Sequence, residues 1–181
     1  MGGNTVVNTT TEKHDRILNA LRQRGGERAP ANLVAADLMT KPPECIGEST
    51  TLLELVELFH THEFRHFLVT DPIGRLVGVI SDRDVIRFLA PDDSSDRQAM
   101  ADVPASRLMS TDLITIGPDR PTSEAAELMI EHGISCLPVL NQGEVVGIVT
   151  NTDLHLLLQL LLQTTRLSPL EEPIASAATS R

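Results

Sequence analysis

A short pattern that occurs twice in the sequence combines the residue types that bind a polyhydroxylated anion. Its first copy places Gly78 in an apolar run, followed by a hydroxyl at Ser81 and a carboxylate at Asp84. A glycine in a strand lets another backbone or a ligand approach closely. The hydroxyl opens a helix whose free N–H groups and dipole favour an anion, with the carboxylate on its first turn. The pattern therefore predicts a site that holds phosphate at one end and a ribose diol at the other.

The second copy repeats these positions as Gly147, Thr150 and Asp153. A second interpretation stands beside the first, because Ser-x-x-Asp and Thr-x-x-Asp also resemble capping boxes, in which the carboxylate bonds only the backbone of its own helix start. Two instances at equivalent places, each after a strand that contains glycine, favour the ligand interpretation and leave the other open.

Other reactive side chains do not form a recognisable constellation. Within residues 60–66, only His62 and His66 have the i, i+4 relation that suits a metal on a helix, and the helix is predicted to end between them. Cys45 and Cys136 lack a CxxC partner or an activating base, so we expect buried apolar thiols. No paired nucleophile and base, P-loop or dinucleotide fingerprint occurs. We therefore expect no catalytic residues, no metal site and no enzymatic activity.

Each of the two patterns lies at the end of one copy of a longer repeated unit. An offset of 70 positions aligns Ala35 with Ala105 and Glu54 with Glu124, and after a one-residue deletion it aligns the glycines and carboxylates of the two patterns. Each unit has about 60 residues, which is small for an independent core. We expect the two units to share one core, as stacked repeats do.

Each unit is predicted to run helix, strand, helix, strand, strand, helix, which gives an α/β (α+β) fold of two repeats packed as an intramolecular pair. The capping box at Thr51 to Glu54, the stop at Gly133 and the type I turn over residues 71–74 mark its elements. The predicted organisation is an N-terminal tail and short helix (1–32, with the helix over 13–24), the first repeat (33–90), a linker (91–102), the second repeat (103–163) and a disordered tail (164–181).

The amino-acid composition disfavours some classes of binding partner. The 181 residues carry 15 Lys and Arg against 25 Asp and Glu, a net charge of −10, which disfavours nucleic acid. Four Phe and no Trp or Tyr leave few stacking platforms for bases. The first residues lack the charged and apolar regions expected of a signal peptide, and the longest apolar stretch, residues 154–162, is shorter than the roughly 20 residues of a membrane span. We expect a cytoplasmic protein without a membrane or nucleic-acid partner.

The tandem pattern resembles the cystathionine-β-synthase (CBS) domain family, in which two repeats form an intramolecular pair called a Bateman module. The resemblance covers roughly residues 33–162. It rests on the repeat architecture, the Leu-Met-Thr/Ser openings, the strand Leu137-Pro138-Val139 and the Gly-x-[Ile/Val]-[Ser/Thr]-x-x-Asp endings. The resemblance implies two clefts between the repeats that bind AMP, ADP, ATP or S-adenosylmethionine as regulatory ligands, with no required cofactor.

The resemblance also implies roles for particular residues. Asp84 and Asp153 match the ribose-binding carboxylates of the family, Ser81 and Thr150 its phosphate-side hydroxyls, and Arg65 a basic phosphate contact. The segments that line the adenine slot in the family are matched by Thr40 and Ile46 in the first repeat and by Ser110 and Ile116 in the second. The residues predicted to bind nucleotide are Thr40, Ile46, Arg65, Gly78, Ser81, Arg83, Asp84, Ser110, Ile116, Gly147, Thr150 and Asp153.

The two clefts are not expected to be equivalent. Ser135 stands in the second repeat where the first has Arg65, and Leu68 replaces the usual proline of the first hairpin. Arg83, with His66 and Arg87 nearby, favours a ligand with phosphates if these side chains line the cleft, because guanidinium pairs with phosphate. A solvated face explains them equally well.

These observations leave two hypotheses about function. The first is a regulatory module in which an adenosine ligand shifts the shape of the module or its pairing with another module or an unidentified regulated protein. The second is a structural dimerisation or interaction module with degenerate clefts. The apolar helix at residues 154–162 is predicted to contribute to a homodimer, with ordinary core packing as the alternative.

Overall fold

Two similar units of helices and strands follow one another along the chain, preceded by one long helix. The computed structural model describes residues 5–23, 33–62, 64–90 and 100–166. Residues 91–99 of the predicted linker (91–102), residues 167–181 of the predicted tail (164–181) and the glycines at 25 and 26 lie outside these residues.

The first unit follows the predicted order of elements. Its helices are α2 (Ala35–Leu38), α3 (Leu52–Thr61) and α4 (Asp82–Leu89), and its strands are β1 (Cys45–Gly47), β2 (His66–Thr70) and β3 (Leu76–Ser81). The three strands form a sheet in the order β1-β2-β3, in which β1 is parallel and β3 antiparallel to β2. The strand β1 therefore lies at an edge of its sheet.

The second unit departs from the predicted order at its beginning. It contains a 3₁₀ turn (Ala105–Arg107), α5 (Thr122–His132), β4 (Cys136–Asn141), β5 (Glu144–Thr150) and α6 (Asn151–Arg166). The predicted first strand is reduced to one parallel bridge between Ile116 and Val139. The predicted strand is thus present only as this bridge, and β4 and β5 form a two-stranded sheet.

Local sequence signals account for the ends of two helices. The hydroxyl of Thr51 accepts the Glu54 N–H at 3.3 Å, and the Glu54 carboxylate accepts the Thr51 N–H at 2.8 Å, which is the predicted capping box at the start of α3. Gly133 ends α5 with a φ of 64°. Glycine adopts this left-handed conformation without the steric cost that a side chain would add.

The opening segments of the two units are exchanged between their cores. Ala35 and Met39, from the start of the first unit, pack with Leu137, Val139 and Val149 of the second. Reciprocally, Ala105 packs in the first core, in a cluster formed by Leu52, Leu55, Phe67, Val69, Ile80 and Val85. Each unit therefore has its own core, completed by a segment that opens the other unit, and a cluster in which Leu68 packs with Cys136 and Ile148 joins the two repeats, as the expected shared core requires.

The N-terminal helix α1 (Thr5–Gln23) begins eight residues before the predicted start at Lys13. That prediction relied on apolar spacing, which the first two turns of the helix do not have. Ile17 is fully buried and packs with Leu33, Leu38 and Leu160, so that α1 covers α2 and one face of α6. Among the described helices, none has the length and apolar character needed to cross a membrane.

Candidate functional site

The first copy of the repeated pattern forms the start of α4. Ser81 ends β3, and its N–H and hydroxyl both donate to Asp84 Oδ2, at 2.9 and 2.6 Å. The Ser81 hydroxyl in turn accepts the Asp84 N–H at 3.3 Å. The capping interpretation is therefore correct for this copy, and it uses only one of the two carboxylate oxygens.

The second copy forms the same arrangement at the start of α6. The N–H and hydroxyl of Thr150 donate to Asp153 Oδ2 at 2.7 and 2.9 Å. Each carboxylate thus holds its own helix start through Oδ2 and presents Oδ1 to other groups. What Oδ1 meets is the main difference between the two copies.

Each pattern lies beside a segment from the opposite unit. The backbone of Ser110 exchanges two hydrogen bonds with Val79 of β3, at 2.9 and 3.0 Å. The backbone of Thr40 exchanges two with Ile148 of β5, at 2.8 and 3.1 Å. We call Ser81, Asp84 and Ser110 the first site, and Thr150, Asp153 and Thr40 the second site. Two of the four residues matched to the adenine slot, Ser110 and Thr40, thus pair with the strand that leads to the carboxylate of the other repeat.

The two glycines of the pattern make room for methionines of the opposite unit. A Cβ atom added to Gly78 would lie 2.7 Å from Met109 Cγ, and one added to Gly147 would lie 2.9 Å from Met39 Cγ and 3.0 Å from the Thr40 carbonyl oxygen. Such separations are below van der Waals contact, so a side chain does not fit. Sequence reasoning noted the Leu-Met openings and missed this pairing, because the glycines and methionines belong to different repeats.

The two isoleucines predicted to line the adenine slot lie in the cores. Ile46 is the central residue of β1 and packs in the first core, opposite Val69 of β2. Ile116 is buried in the second core, where it bridges Val139.

Exposed guanidinium groups border the first site. Arg65 donates from Nε to Asp82 Oδ2 at 3.0 Å, and 61% of its side chain is exposed. The Oδ1 atom of Asp84 lies 3.7 Å from Nη1 of Arg87, whose side chain is 81% exposed. Arg83, on the first turn of α4, is exposed as well. Three cations therefore lie on α4 or beside its start, next to a carboxylate that remains 23% exposed.

His66 and Ser135 join the two repeats close to the first site. The His66 Nε2 atom lies 2.8 Å from the Ser135 hydroxyl oxygen. Burial lowers the pKa of His66, and the negative charge of Asp82 opposes this effect. Ser135 holds the position equivalent to Arg65, and its carbonyl oxygen accepts the Asn151 N–H at 3.0 Å.

The two cysteines differ, and the prediction that both are buried was wrong for Cys45. Cys45 is exposed because β1 is a three-residue edge strand in which only the middle residue, Ile46, faces the core. Cys136 is buried, and desolvation together with the charge of Asp84 raises the pKa of its thiol to about 12. The described residues contain no cluster of three or more His, Cys, Asp or Glu that could hold a metal ion.

The second site is covered by α1. Lys13 Nζ donates to Asp153 Oδ1 and to the Thr40 hydroxyl, the latter at 2.6 Å. Arg16, one turn further along α1, donates to the carbonyl oxygens of Met39 at 2.5 Å and Asp37 at 3.2 Å. Only 4% of the Asp153 side chain is exposed. Sequence reasoning did not foresee this contact, because no local pattern relates Lys13 to a carboxylate 140 positions away.

Two surface concavities lie away from both carboxylates. One, of about 470 Å³, is lined by α1 and Asp37, and the other, of about 360 Å³, by the exposed face of α6. Neither includes Asp84 or Asp153.

Comparison with known proteins identifies the repeated unit. The family model described as the CBS domain matches residues 34–91 and 105–159. The chain belongs to the CBS domain family. Its two matches are the two repeats, so the chain carries a tandem CBS pair, or Bateman module.

Solved structures of CBS pairs share this fold. The CBS domain pair of protein MJ0100, in complex with 5′-methylthioadenosine and S-adenosyl-L-methionine, matches with a TM-score of 0.61 and 26% identity, over 73% of this chain and 98% of that chain. The cytosolic domain of the Mg²⁺ channel MgtE, in complex with ATP, matches with a TM-score of 0.55 and 28% identity, over 76% of this chain and 51% of that chain.

Several curated relatives are longer than this chain. The uncharacterized protein MJ1225 of Methanocaldococcus jannaschii is 30% identical over 154 residues, which are 84% of this chain and 49% of that protein. The chain spans about half the length of this relative, and about a quarter or less of four other curated relatives.

Proposed function

We propose that this CBS pair is a regulatory module that binds an adenosine-containing ligand at its first site. The proposal rests on the different contacts of the two carboxylate oxygens of Asp84. Its Oδ2 is used by the helix cap, while the nearest cation to Oδ1 among the described residues is Arg87 at 3.7 Å, on an exposed side chain. A carboxylate oxygen in this state is available to accept hydrogen bonds from a ribose diol.

The charges around the first site favour a ligand that carries phosphate. Arg65, Arg83 and Arg87 are exposed near the start of α4, and guanidinium groups pair with phosphate oxygens through two parallel hydrogen bonds. Ser81 adds a hydroxyl at the same helix start. AMP, ADP and ATP satisfy both the carboxylate and the cations, whereas S-adenosylmethionine satisfies the carboxylate.

Related structures support this class of ligand. The pair of protein MJ0100 was solved with 5′-methylthioadenosine and S-adenosyl-L-methionine, and the MgtE domain with ATP. All three molecules contain adenosine, which is the part that the first site is proposed to hold. The proposal assigns a regulatory role, because the chain aligns with a quarter or less of the length of relatives named as enzymes.

We propose that ligand binding changes the shape of the module and its self-association, and that these changes carry the signal. A ligand shifts an equilibrium only if it distinguishes the two states. Ser110 and Ser81 come from different repeats, so a ligand between them responds to the angle between the repeats. The α6 residues Leu158 and Leu162 are 53% and 57% exposed, and we propose that they meet a second copy in a homodimer.

Calorimetric and thermal-shift titrations with AMP, ADP, ATP, S-adenosylmethionine and 5′-methylthioadenosine test the proposal. A ligand that binds only the folded state raises the melting temperature. Asp84→Asn keeps an acceptor for the Ser81 cap and removes the charge, so we expect at least about ten-fold weaker binding. Asp119→Asn, in an exposed turn of the second repeat, is the matched control. Equal binding by the Asp84 variant and the control would place the ligand elsewhere.

A structural interaction module is the second candidate. It is favoured by the capping box at Ser81 and the matching hydrogen bonds from Thr150 to Asp153, which account for both carboxylates of the repeated pattern without a ligand. The absence of any thermal shift with all five compounds at millimolar concentration would favour this candidate.

A further inference from the structure

The contact between α1 and the second site is built from buried polar groups. Lys13 Nζ bonds both Asp153 Oδ1 and the Thr40 hydroxyl, and the Lys13 side chain is 13% exposed. Burying a charged amine and a carboxylate is costly unless each has its partner. The ammonium group and the two acceptors therefore stabilise one another only while α1 is docked.

Apolar and backbone contacts fix α1 in this position. Ile17, one turn after Lys13, is fully buried against Leu33 and Leu160. Arg16 donates to two carbonyl oxygens of the segment that leads to Thr40. The helix thus touches both halves of the second site, the carboxylate on the first turn of α6 in one repeat and the opening segment of the other.

The first site has no such cover among the described residues. The cation nearest to Asp84 Oδ1 is Arg87, which belongs to the same helix and lies at the longer distance of 3.7 Å. Asp84 is 23% exposed where Asp153 is 4% exposed. The two sites have the same hydroxyl and carboxylate and differ mainly in the helix that lies over one of them.

We propose that α1 is an internal competitor for the second site, so that a ligand reaches Asp153 and Thr40 only when Lys13 and α1 leave them. This inference rests on the proposed function, since it assumes that a CBS site of this chain binds an adenosine ligand. Lys13 occupies the carboxylate oxygen that a ribose hydroxyl would need. Filling of the second site and docking of α1 then exclude one another, and occupancy would be converted into release of the N-terminal helix.

The test is a calorimetric titration of the full chain with ATP, repeated with S-adenosylmethionine, combined with hydrogen exchange of α1. We expect one equivalent to bind the unmodified chain at low concentration, and two to bind Lys13→Ala. Amide exchange over α1 is expected to rise at least ten-fold in Lys13→Ala without ligand. Lys13→Gln provides a second variant that keeps a donor, and Arg22→Ala removes a charge from an exposed position of the same helix as the control.

The outcomes separate this inference from the proposed function. One equivalent bound by both the unmodified chain and the Lys13 variants would overturn the proposed competition by α1. It would leave the proposed ligand binding at the first site unaffected. Two equivalents bound by the unmodified chain without a rise in α1 exchange would also overturn the competition. No binding to any variant would overturn both proposals. A second equivalent that appears only when α1 exchange rises, whether by substitution or by high ligand concentration, would support the competitor.

Discussion

His66 is a titratable residue at the contact between the repeats. It bonds Ser135 at 2.8 Å and is half-buried, and this burial lowers its pKa. Asp82 and Asp84 face it with negative charge, while Arg65 and Arg83 face it with positive charge. Desolvation is the largest of these effects, so the folded protein holds the neutral imidazole more strongly than the unfolded chain does.

The lowered pKa predicts a loss of stability in mild acid. The unfolded chain takes up the proton near its ordinary pKa of about 6.5, whereas the folded protein takes it up only at lower pH. The free energy of unfolding should therefore fall as the pH drops below about 6.5, and level off below the folded pKa. Urea unfolding at pH 7.5 and 5.5 measures this change, above the range in which carboxylates titrate.

Two histidine substitutions check the assignment. His66→Gln keeps a polar side chain beside Ser135 and should remove most of the difference between the two pH values. His132→Gln, at an exposed position at the end of α5, should leave the difference unchanged. An equal difference in both variants would show that another group is responsible.

At the scale of single residues, the sequence identified the residues of the repeated pattern but not the distant residues that contact them. Ser81, Asp84, Thr150 and Asp153 form the capping arrangement that the sequence left open beside the ligand interpretation, since such an arrangement is local in sequence. Lys13 was missed because its role depends on where a helix docks.

At the scale of elements, the crossing of strands and opening segments explains why both patterns contain glycine. The close atoms differ, however. The three atoms nearest to a Cβ at Gly78 would be Sδ, Cγ and Cβ of Met109, whereas a Cβ at Gly147 would have Sδ and Cγ of Met39 and the Thr40 carbonyl oxygen, at 3.0 Å, as its nearest atoms. A methionine side chain can move aside, but this carbonyl is held by its hydrogen bond from Ile148.

We therefore predict unequal effects of alanine at the two glycines. Gly147→Ala should lower the free energy of unfolding by about 3 kcal/mol, at the upper end of overpacking costs, and Gly78→Ala by about 1 kcal/mol. Chemical denaturation of the two variants checks the order. Equal losses, or a larger loss for Gly78→Ala, would mean that the backbone near Thr40 adapts as readily as Met109 does.

The type of each helix or strand could be predicted from the periodicity of its sequence. The length of a strand, in contrast, depends on the strands beside it. The capping box of α3 and the glycine stop of α5 are encoded within a few residues, and both predictions were confirmed. The predicted strand at Ile116 is a single bridge, because a strand's length is set by how far its partner runs beside it. Cys45 was placed inside for a similar reason, since an apolar context does not reveal that a strand lies at an edge.

At the scale of the whole molecule, α6 has two apolar faces with different roles. Leu157 and Leu160 are buried against α1 and α2, whereas Leu158 and Leu162 are exposed. Core packing, the alternative for this helix, accounts for the first face only. The second face is available to another copy of the chain.

We predict that Leu158→Glu combined with Leu162→Glu prevents self-association. Two charged groups brought into an apolar interface cannot be solvated there, and the expected result is a monomer in sedimentation equilibrium. Secondary structure by circular dichroism should be unchanged, because both positions are exposed in the single chain. Ile73→Glu, at an exposed hairpin turn with 74% exposure, is the control and should leave the assembly unaffected. An unchanged mass for the double variant would contradict the proposed interface.

The exchange of opening segments also sets an order for biosynthesis. The first core is assembled from a continuous stretch that ends near Met109, and its contacts become available as soon as that stretch leaves the ribosome. Thr40, Ala35 and Met39 instead await β4 and β5, which are translated near the end of the described chain. Closing so long a loop is slow compared with local pairing. The first repeat is therefore expected to be structured on the nascent chain, while the segment from Ala35 to Thr40 joins the fold last.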